Sequence, residues 1–268
     1  MSTTSDPDTV LVIENDPDSG PAMLLDWIAE AGLRPVVIQA WDGDPLPADA
    51  SGHLALIILG GGMLPDDDAE RPWLPGERAL LRATAGRARE PVLGICLGAQ
   101  MITHTFGGTV AAKHGLPEKG VVDLELLPAA ADDPVFGELP SPFPAIESHR
   151  DQITGLPPGA VLLASSERCA NQVLRLGDRV WGVQFHPEVA AARVRQWDPD
   201  KLREWGFDPD AVLAEAERRD AELRALWRRT IGRFLDLARA QSADRSAGVS
   251  TSTDAPAGSG TSTGTSPA

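Results

Sequence analysis

The stretch "PVLGICLGAQ", residues 91–100, decides the fold that we predict for this chain. A short apolar run breaks at Gly94, presents Cys96, passes Gly98 and continues into residues that favour a helix. A strand that enters a helix through such a tight turn lifts the residue at its apex out of the sheet, which is the geometry of a nucleophile elbow. Small residues on either side let the backbone bend. We therefore interpret Cys96 as a candidate nucleophile.

The position of Cys96 suits a reactive thiol. At the start of a helix, unpaired amides and the macrodipole favour the thiolate, which is the reactive form. The amide of Leu97 is expected to bind an oxyanion. The alternative is that Cys96 is a small buried residue at a strand end, as free cysteines often are. The GxCxG pattern alone leaves both interpretations open.

A thiolate nucleophile usually needs a base and a group that orients the base. His186, in "WGVQFHPEV", follows an apolar strand, where parallel-sheet proteins commonly place their chemistry. Glu188 lies two residues further on and can hold the second imidazole nitrogen. The other cysteine, Cys169, lies in a strand-like region without an elbow, and we interpret it as ordinary packing.

Apolar runs and helical segments alternate in the first part of the chain. A sheet covered on both faces is indicated because the runs are continuous rather than alternating, and the intervening helices imply a mainly parallel order. After about residue 108, shorter strands and hairpins extend the same body. The apolar runs are "TVLVIE" (9–14), "PVVIQAW" (35–41), "LALIIL" (54–59) and "PVLGI" (91–95).

Two Asp-Pro pairs, at 198–199 and 208–209, predict helix starts, because Asp caps free amides and Pro suits the first helical position. The second helix carries an apolar stripe, which favours packing on its own domain over docking to a partner. We expect a flexible N-terminus (1–8), a single α/β domain (9–197), C-terminal helices packed on it (198–240) and a disordered tail (241–268).

Composition excludes several classes of protein. A formal net charge of −15 over 268 residues argues against a nucleic-acid partner. Two cysteines do not make a disulfide framework. No signal sequence or membrane span is evident, so we expect a cytoplasmic protein without a membrane partner. Neither zinc-type cysteine pairing nor a nucleotide-binding motif is present, so the sequence indicates no metal and no cofactor.

Three separated motifs resemble the class I glutamine amidotransferases, which carry a Cys, His and Glu triad. These motifs are "GICLGAQ", "GVQFHPE" and "ILGGGMLPDDD", and the resemblance covers residues 9–197. It is nearest to free-standing members that look like the amidotransferase domain of GMP synthetase. The resemblance implies a flavodoxin-like three-layer fold: a mainly parallel, helix-covered open sheet with a nucleophile elbow, here followed by C-terminal helices.

Carried over residue by residue, the resemblance assigns a role to each motif position. Cys96 becomes the nucleophile, His186 the general acid and base, and Glu188 its orienting partner. Backbone amides of Gly61 or Gly62 and of Leu97 would form the oxyanion hole. For substrate binding, the resemblance adds Gln100 and, from "SHRD", His149, although His149 is equally well read as a loop side chain.

Three functions remain open from the sequence. The first is a glutaminase that takes glutamine as substrate and supplies ammonia to a separate synthase subunit. The second is a γ-glutamyl hydrolase, which uses similar chemistry to cleave larger γ-glutamyl amides. The third is a catalytically silent relative that acts in regulation or binding.

Overall fold

Strands and helices alternate through the first half of the chain in the computed structural model, which describes residues 8–250. The strands β1, β3 and β4 are buried along their whole length, as expected for strands covered on both faces. The elements of this half are β1 Thr9–Glu14, α1 Leu24–Glu30, β2 Arg34–Gln39, β3 Ala55–Ile58, α2 Leu74–Arg87, β4 Val92–Ile95 and α3 Leu97–Thr105.

The second half adds shorter strands, as the sequence predicts after residue 108. The strand β7 was not predicted, because Pro142 and Pro144 interrupt its apolar pattern. Pro144 is tolerated there because β7 lies at the edge of its sheet. These strands are β5 Thr109–Ala111, β6 Glu118–Leu126, β7 Phe143–His149, β8 Gln152–Gly155, β9 Ala160–Ser165, β10 Val173–Leu176 and β11 Val180–Val183.

Within the described residues, nine strands form one sheet in the order β2-β1-β3-β4-β11-β10-β9-β6-β7. The strands from β2 to β11 in this order are parallel, and the remaining four are antiparallel. The predicted open α/β sheet covered by helices is therefore confirmed. In the pair of β4 and β11, Ile95 lies opposite Val183, so the chain leaves both strands at the same edge.

Helices cover both faces of this sheet. Alternate side chains of β1 point to opposite faces, so Val10 and Val12 belong to one apolar cluster and Leu11 and Ile13 to the other. The first cluster includes residues of α1 and of the C-terminal helix α6, and the second includes residues of α2 and α3. The three-layer arrangement predicted from the resemblance is thus observed.

Three helices follow the last strand: α4 Ala191–Val194, α5 Pro199–Glu204 and α6 Pro209–Ser250. The side chain of Asp198 caps α5 by accepting hydrogen bonds from the amides of Asp200 and Lys201. Similarly, Asp208 Oδ1 accepts one from the Asp210 amide at 3.0 Å. Both helix starts predicted from the Asp-Pro pairs are confirmed.

The long helix α6 continues to Ser250, so the first ten residues of the predicted disordered tail (241–250) are helical. Extending an existing helix adds a hydrogen bond for each residue fixed, so a polar segment containing Ala, Gln and Arg can continue one that packing has nucleated. The rest of the predicted tail (251–268) and most of the predicted flexible N-terminus (1–7) lie outside the described residues. No helix within 8–250 has both the length and the apolar character needed to cross a membrane.

Candidate active site

Cys96 lies at the apex of the turn between β4 and α3. Its backbone has φ 51° and ψ −104°, a conformation that is rare and strained for a residue with a side chain. Hydrogen bonds hold this turn on both sides. The Cys96 amide donates to the carbonyl of Val183 at 2.7 Å, and the Gln100 amide donates to the carbonyl of Cys96 at 3.1 Å. The structure therefore contains the elbow that the sequence predicts.

Two glycines are required by the close approach of the backbone around the elbow. A Cβ on Gly94 would lie 2.4 Å from the carbonyl carbon of Gly98. In the same way, a Cβ on Gly98 would lie 2.2 Å from the carbonyl oxygen of Ile58. Both distances are shorter than atoms tolerate, so these positions accept only glycine without movement of the backbone.

His186 follows β11, and its ring lies against the side chain of Cys96. Its backbone amide donates to the carbonyl of Ile146 at 2.8 Å, which fixes the loop against β7. On the other side of the ring, His186 Nδ1 lies 2.8 Å from Glu188 Oε1. Cys96, His186 and Glu188 are all buried. The structure thus brings together the three residues predicted as a triad.

The surroundings of His186 determine its charge. Burial by itself lowers the pKa of the imidazole, but the carboxylate of Glu188 and the negative charge of Cys96 outweigh it and raise the pKa well above the usual value. The protonated form of the His186 imidazole is therefore favoured. Such a group is prepared to give a proton to a leaving amine.

The glycine loop after β3 lies beside the elbow. A Cβ on Gly60 would lie 3.0 Å from His186 Cε1 and 3.5 Å from Cys96 Cβ, and one on Gly61 would lie 2.9 Å from Leu97 Cδ2. The amide of Gly62, by contrast, donates to Asp16 Oδ2 at 3.3 Å. Of the two glycines predicted for an oxyanion hole, Gly61 is therefore the better placed. Sequence reasoning missed Gly60, although it belongs to the same glycine run.

A buried polar network contacts the glycine loop at the carbonyl of Leu59. Asn15 Nδ2 donates to Glu77 Oε1 at 3.0 Å and to the carbonyl of Leu59 at 3.4 Å. Asn15 Oδ1 accepts a hydrogen bond from Trp73 Nε1 at 3.0 Å. Burial raises the pKa of Glu77 to about 7, although Asn15 and a neighbouring arginine partly oppose the shift. The loop is thus held by a carboxyl group that titrates near neutrality.

Two glutamines link the elbow to the strand before His186. Gln184 Nε2 lies 3.7 Å from Cys96 Sγ and can donate to it, while Gln184 Oε1 accepts from Gln100 Nε2 at 3.3 Å. Gln100 Nε2 also donates to the carbonyl of Asp151 at 3.2 Å. Gln100, predicted to bind substrate, is buried and holds Gln184 in place. Sequence reasoning missed Gln184, although it lies two residues before His186 in the same motif.

His149 lies at the end of β7, buried among carboxylates. Its Nε2 is 3.2 Å from Glu118 Oε2 and 3.1 Å from Glu147 Oε2. Burial lowers the pKa of His149, but these two carboxylates outweigh it and raise the pKa to about 10. Its predicted part in substrate binding stays a prediction, because its side chain is engaged within the protein.

Comparison with known proteins agrees with this geometry. Residues 18–200 match the family described as "Glutamine amidotransferase class-I". The match spans more than half of the chain, so the chain belongs to the class I glutamine amidotransferase family.

Two individual relatives show how much of the sequence is shared. The chain is 31% identical over 227 residues to the glutamine amidotransferase-like protein YfeJ of Salmonella typhimurium, and the match covers 72% of this chain and 93% of that protein. It is 43% identical over 101 residues to a subunit of the glutamine-hydrolyzing GMP synthase of Thermococcus kodakarensis, covering 37% of this chain and 52% of that relative. The chain thus spans about half of the Thermococcus relative, and a smaller share of the GMP synthases that it also matches.

A solved structure shares the fold. A crystal structure of a glutamine amidotransferase from Thermotoga maritima superimposes with a TM-score of 0.77 at 27% sequence identity. The superposition covers 86% of this chain and 99% of that one.

Proposed function

We propose that this protein hydrolyses the side-chain amide of glutamine through a glutamyl thioester on Cys96. The observation that carries the proposal is the contact of Cys96 with His186, whose far nitrogen is held by Glu188 at 2.8 Å. A thiol at an elbow, a base in contact with it and a carboxylate behind the base are the parts that cysteine acyl transfer needs. Membership of the class I glutamine amidotransferase family supports the same reaction.

The proposed reaction has two halves. The Cys96 thiolate attacks the carboxamide carbon, and the amides of Gly61 and Leu97 stabilise the oxyanion, a contribution of about 3 kcal/mol for each such donor. His186 then gives its proton to the departing nitrogen, so ammonia leaves and a thioester remains. In the second half His186 takes a proton from water, which attacks the thioester and releases glutamate and the free thiol.

The proposed fate of the ammonia is transfer to a separate synthase. Support comes from the Thermococcus relative, which is named as one subunit of a glutamine-hydrolyzing GMP synthase, although the chain covers only about half of its length. If the inference is right, glutamine turnover rises when the cognate synthase is added. Turnover that is unchanged with every synthase tested would indicate glutamine hydrolysis that is not coupled to a synthase.

The direct test is to incubate the purified chain with glutamine and measure glutamate and ammonia. We expect equimolar release, lost in His186→Gln and kept in the matched variant His114→Gln, because the His114 side chain is exposed. A glutamine-like electrophile should label Cys96. Absence of both glutamate release and labelling would contradict the proposal and favour a silent binding role.

A second candidate, a γ-glutamyl hydrolase, is favoured by a group of cations around Trp205. Arg150 and Lys201 lie 5.0 and 5.6 Å from the centre of its ring, and Lys119 lies 5.4 Å from it and 3.9 Å from that of Trp197. Among the described residues, no carboxylate forms an ion pair with these three cations. Burial and the neighbouring Lys201 lower the pKa of Lys119 to about 8. Arg150 directly precedes Asp151, whose carbonyl accepts a hydrogen bond from Gln100 Nε2 on α3, so this group lies near the elbow.

Unpaired cations beside the site would attract a γ-glutamyl conjugate whose amine part carries a negative charge. They would repel a conjugate whose amine part is positively charged. A hydrolase of this kind should therefore prefer γ-glutamyl amino acids to γ-glutamyl polyamines. Rates measured with both conjugates and with glutamine distinguish the two candidate functions. A rate that is highest with glutamine supports glutamine hydrolysis, and preference for the amino acid conjugate supports a γ-glutamyl hydrolase.

A further inference from the structure

A second group of chemically active side chains lies next to the triad and does not belong to it: Glu147 directly follows Ile146, whose carbonyl accepts the His186 amide. It consists of Glu118, Glu147, His149 and Cys169, which we call the buried cluster. Glu118 begins β6 and pairs with His149 at the end of β7, while Cys169 lies between β9 and β10. All four are at least 96% buried. The four positions are too widely spaced for a sequence motif to reveal them.

The donor atoms of the buried cluster converge. One ligand atom from each of Glu118, His149 and Cys169 lies within 4.8 Å of the others. Glu147 lies beside this group, since its Oε2 is 3.1 Å from His149 Nε2. These atoms are an imidazole nitrogen, a thiol sulfur and carboxylate oxygens, all of which are zinc ligands.

Some polar atoms of the buried cluster lack a proper partner. Neither carboxylate oxygen of Glu147 accepts a well-directed hydrogen bond, and His149 Nδ1 makes none within the described part of the chain. Leaving such groups unpaired in the interior costs about 1–3 kcal/mol each. The completely buried Glu147 therefore places an unsatisfied carboxyl group against His149.

The carboxylates of the buried cluster have no Lys or Arg partner. Within residues 8–242, no Lys or Arg forms an ion pair with Glu118 or Glu147, and the positive charges that act on Glu147 are those of His149 and His186. Buried charges are normally paired or bound to a metal. A divalent cation would neutralise both carboxylates and use the free donor atoms.

From this placement we propose that Glu118, Glu147, His149 and Cys169 bind a Zn²⁺ ion. Binding releases the protons of the Cys169 thiol and of the His149 imidazolium to solvent, because only the thiolate and the neutral ring are ligands. Glu118 is already oriented by neighbours: its Oε2 accepts from Gln172 Nε2 at 2.8 Å and its Oε1 from Ser166 Oγ at 2.7 Å. Such outer contacts are typical of protein metal sites.

Cobalt absorption tests the assignment, since Co²⁺ bound to a thiolate gives a charge-transfer band and the chain has only two cysteines. In the variant Cys96→Ala, any such band must come from Cys169. We expect Co²⁺ to give the band, added Zn²⁺ to abolish it, and Cys169→Ser in the same background to lack it. A band that survives Cys169→Ser, or no band in Cys96→Ala, would overturn the proposal.

Thermal unfolding of Cys96→Ala with Zn²⁺ gives a second readout that does not depend on glutamine hydrolysis. We expect Zn²⁺ to raise the melting temperature of Cys96→Ala, and to have no effect after His149→Gln is added. Gln172→Ala should weaken binding by about tenfold to a hundredfold, because Glu118 loses an orienting contact. Equal Zn²⁺ stabilisation with and without His149→Gln would refute the site.

Discussion

The strained backbone of Cys96 is expected to lower the stability of the folded protein at the residue that we propose as the nucleophile. A side chain at φ 51° costs on the order of 1–3 kcal/mol, and glycine avoids much of that cost. We predict that Cys96→Gly and Cys96→Ala both lose glutamate release, while Cys96→Gly is the more stable of the two by about 1 kcal/mol. Urea unfolding of the two variants measures the difference. Elsewhere Ala→Gly destabilises, so a less stable Cys96→Gly would show that the turn is unstrained.

The carboxylate of Glu188 determines the charge and orientation of His186. Removing its charge in Glu188→Gln should lower the pKa of His186, because Glu188 is the largest influence that raises it against burial. We predict a fall in kcat on the order of 10²–10⁴-fold. Stopped assays of glutamate release measure it. As a matched control, Glu70→Gln should retain the full rate, since the Glu70 side chain is exposed.

At the scale of elements, helix α2 supports the glycine loop through Glu77. The folded protein raises the pKa of Glu77 from 4.5 to about 7, so it favours the neutral acid and binds a proton that the unfolded chain has lost. The contribution of Glu77 protonation to the free energy of unfolding is therefore greatest below pH 4.5 and is lost as the pH rises to 7. It amounts to on the order of 3 kcal/mol.

Glu77→Gln removes this titration while keeping an acceptor for Asn15. We predict that the variant gains stability relative to the parent protein between pH 4.5 and 7, whatever its absolute stability. Unfolding free energies of both proteins across that range provide the measurement, and other titrating groups cancel in the difference. A difference that does not change with pH would contradict the pKa shift of Glu77.

Elements differed in how far the sequence could predict them. The elbow was predictable because its two glycines and Cys96 fall within five residues of one another, and His186 and Glu188 because they follow a buried strand. The strand β7 was not, because Pro144 is accepted only at a sheet edge, which no local pattern specifies. Gln184 and the buried cluster depend on which strands become neighbours, so only the folded chain brings their residues together.

At the level of the whole molecule, helix α6 packs against one face of the sheet, close to the loop that carries His186. Trp227 on this helix packs against Phe185 and Phe143, with ring centres 4.8 and 5.8 Å away. Phe185 directly precedes His186, and Phe143 begins β7, whose Ile146 carbonyl accepts the His186 amide. The C-terminal helix therefore contributes to the position of His186 as well as to the core.

Replacement of Trp227 tests this connection. Trp227→Ala should destabilise the protein by about 3–5 kcal/mol, because it empties a large and fully packed site. At a temperature where the variant is still folded, we expect kcat to fall while KM changes little, since Phe185 can shift and His186 with it. Arg229→Ala, on the exposed side of the same helix, should change stability by less than about 0.5 kcal/mol and leave kcat unchanged. An unaltered kcat in folded Trp227→Ala would mean that the loop carrying His186 is held by β7 alone, and that α6 serves stability without affecting the site.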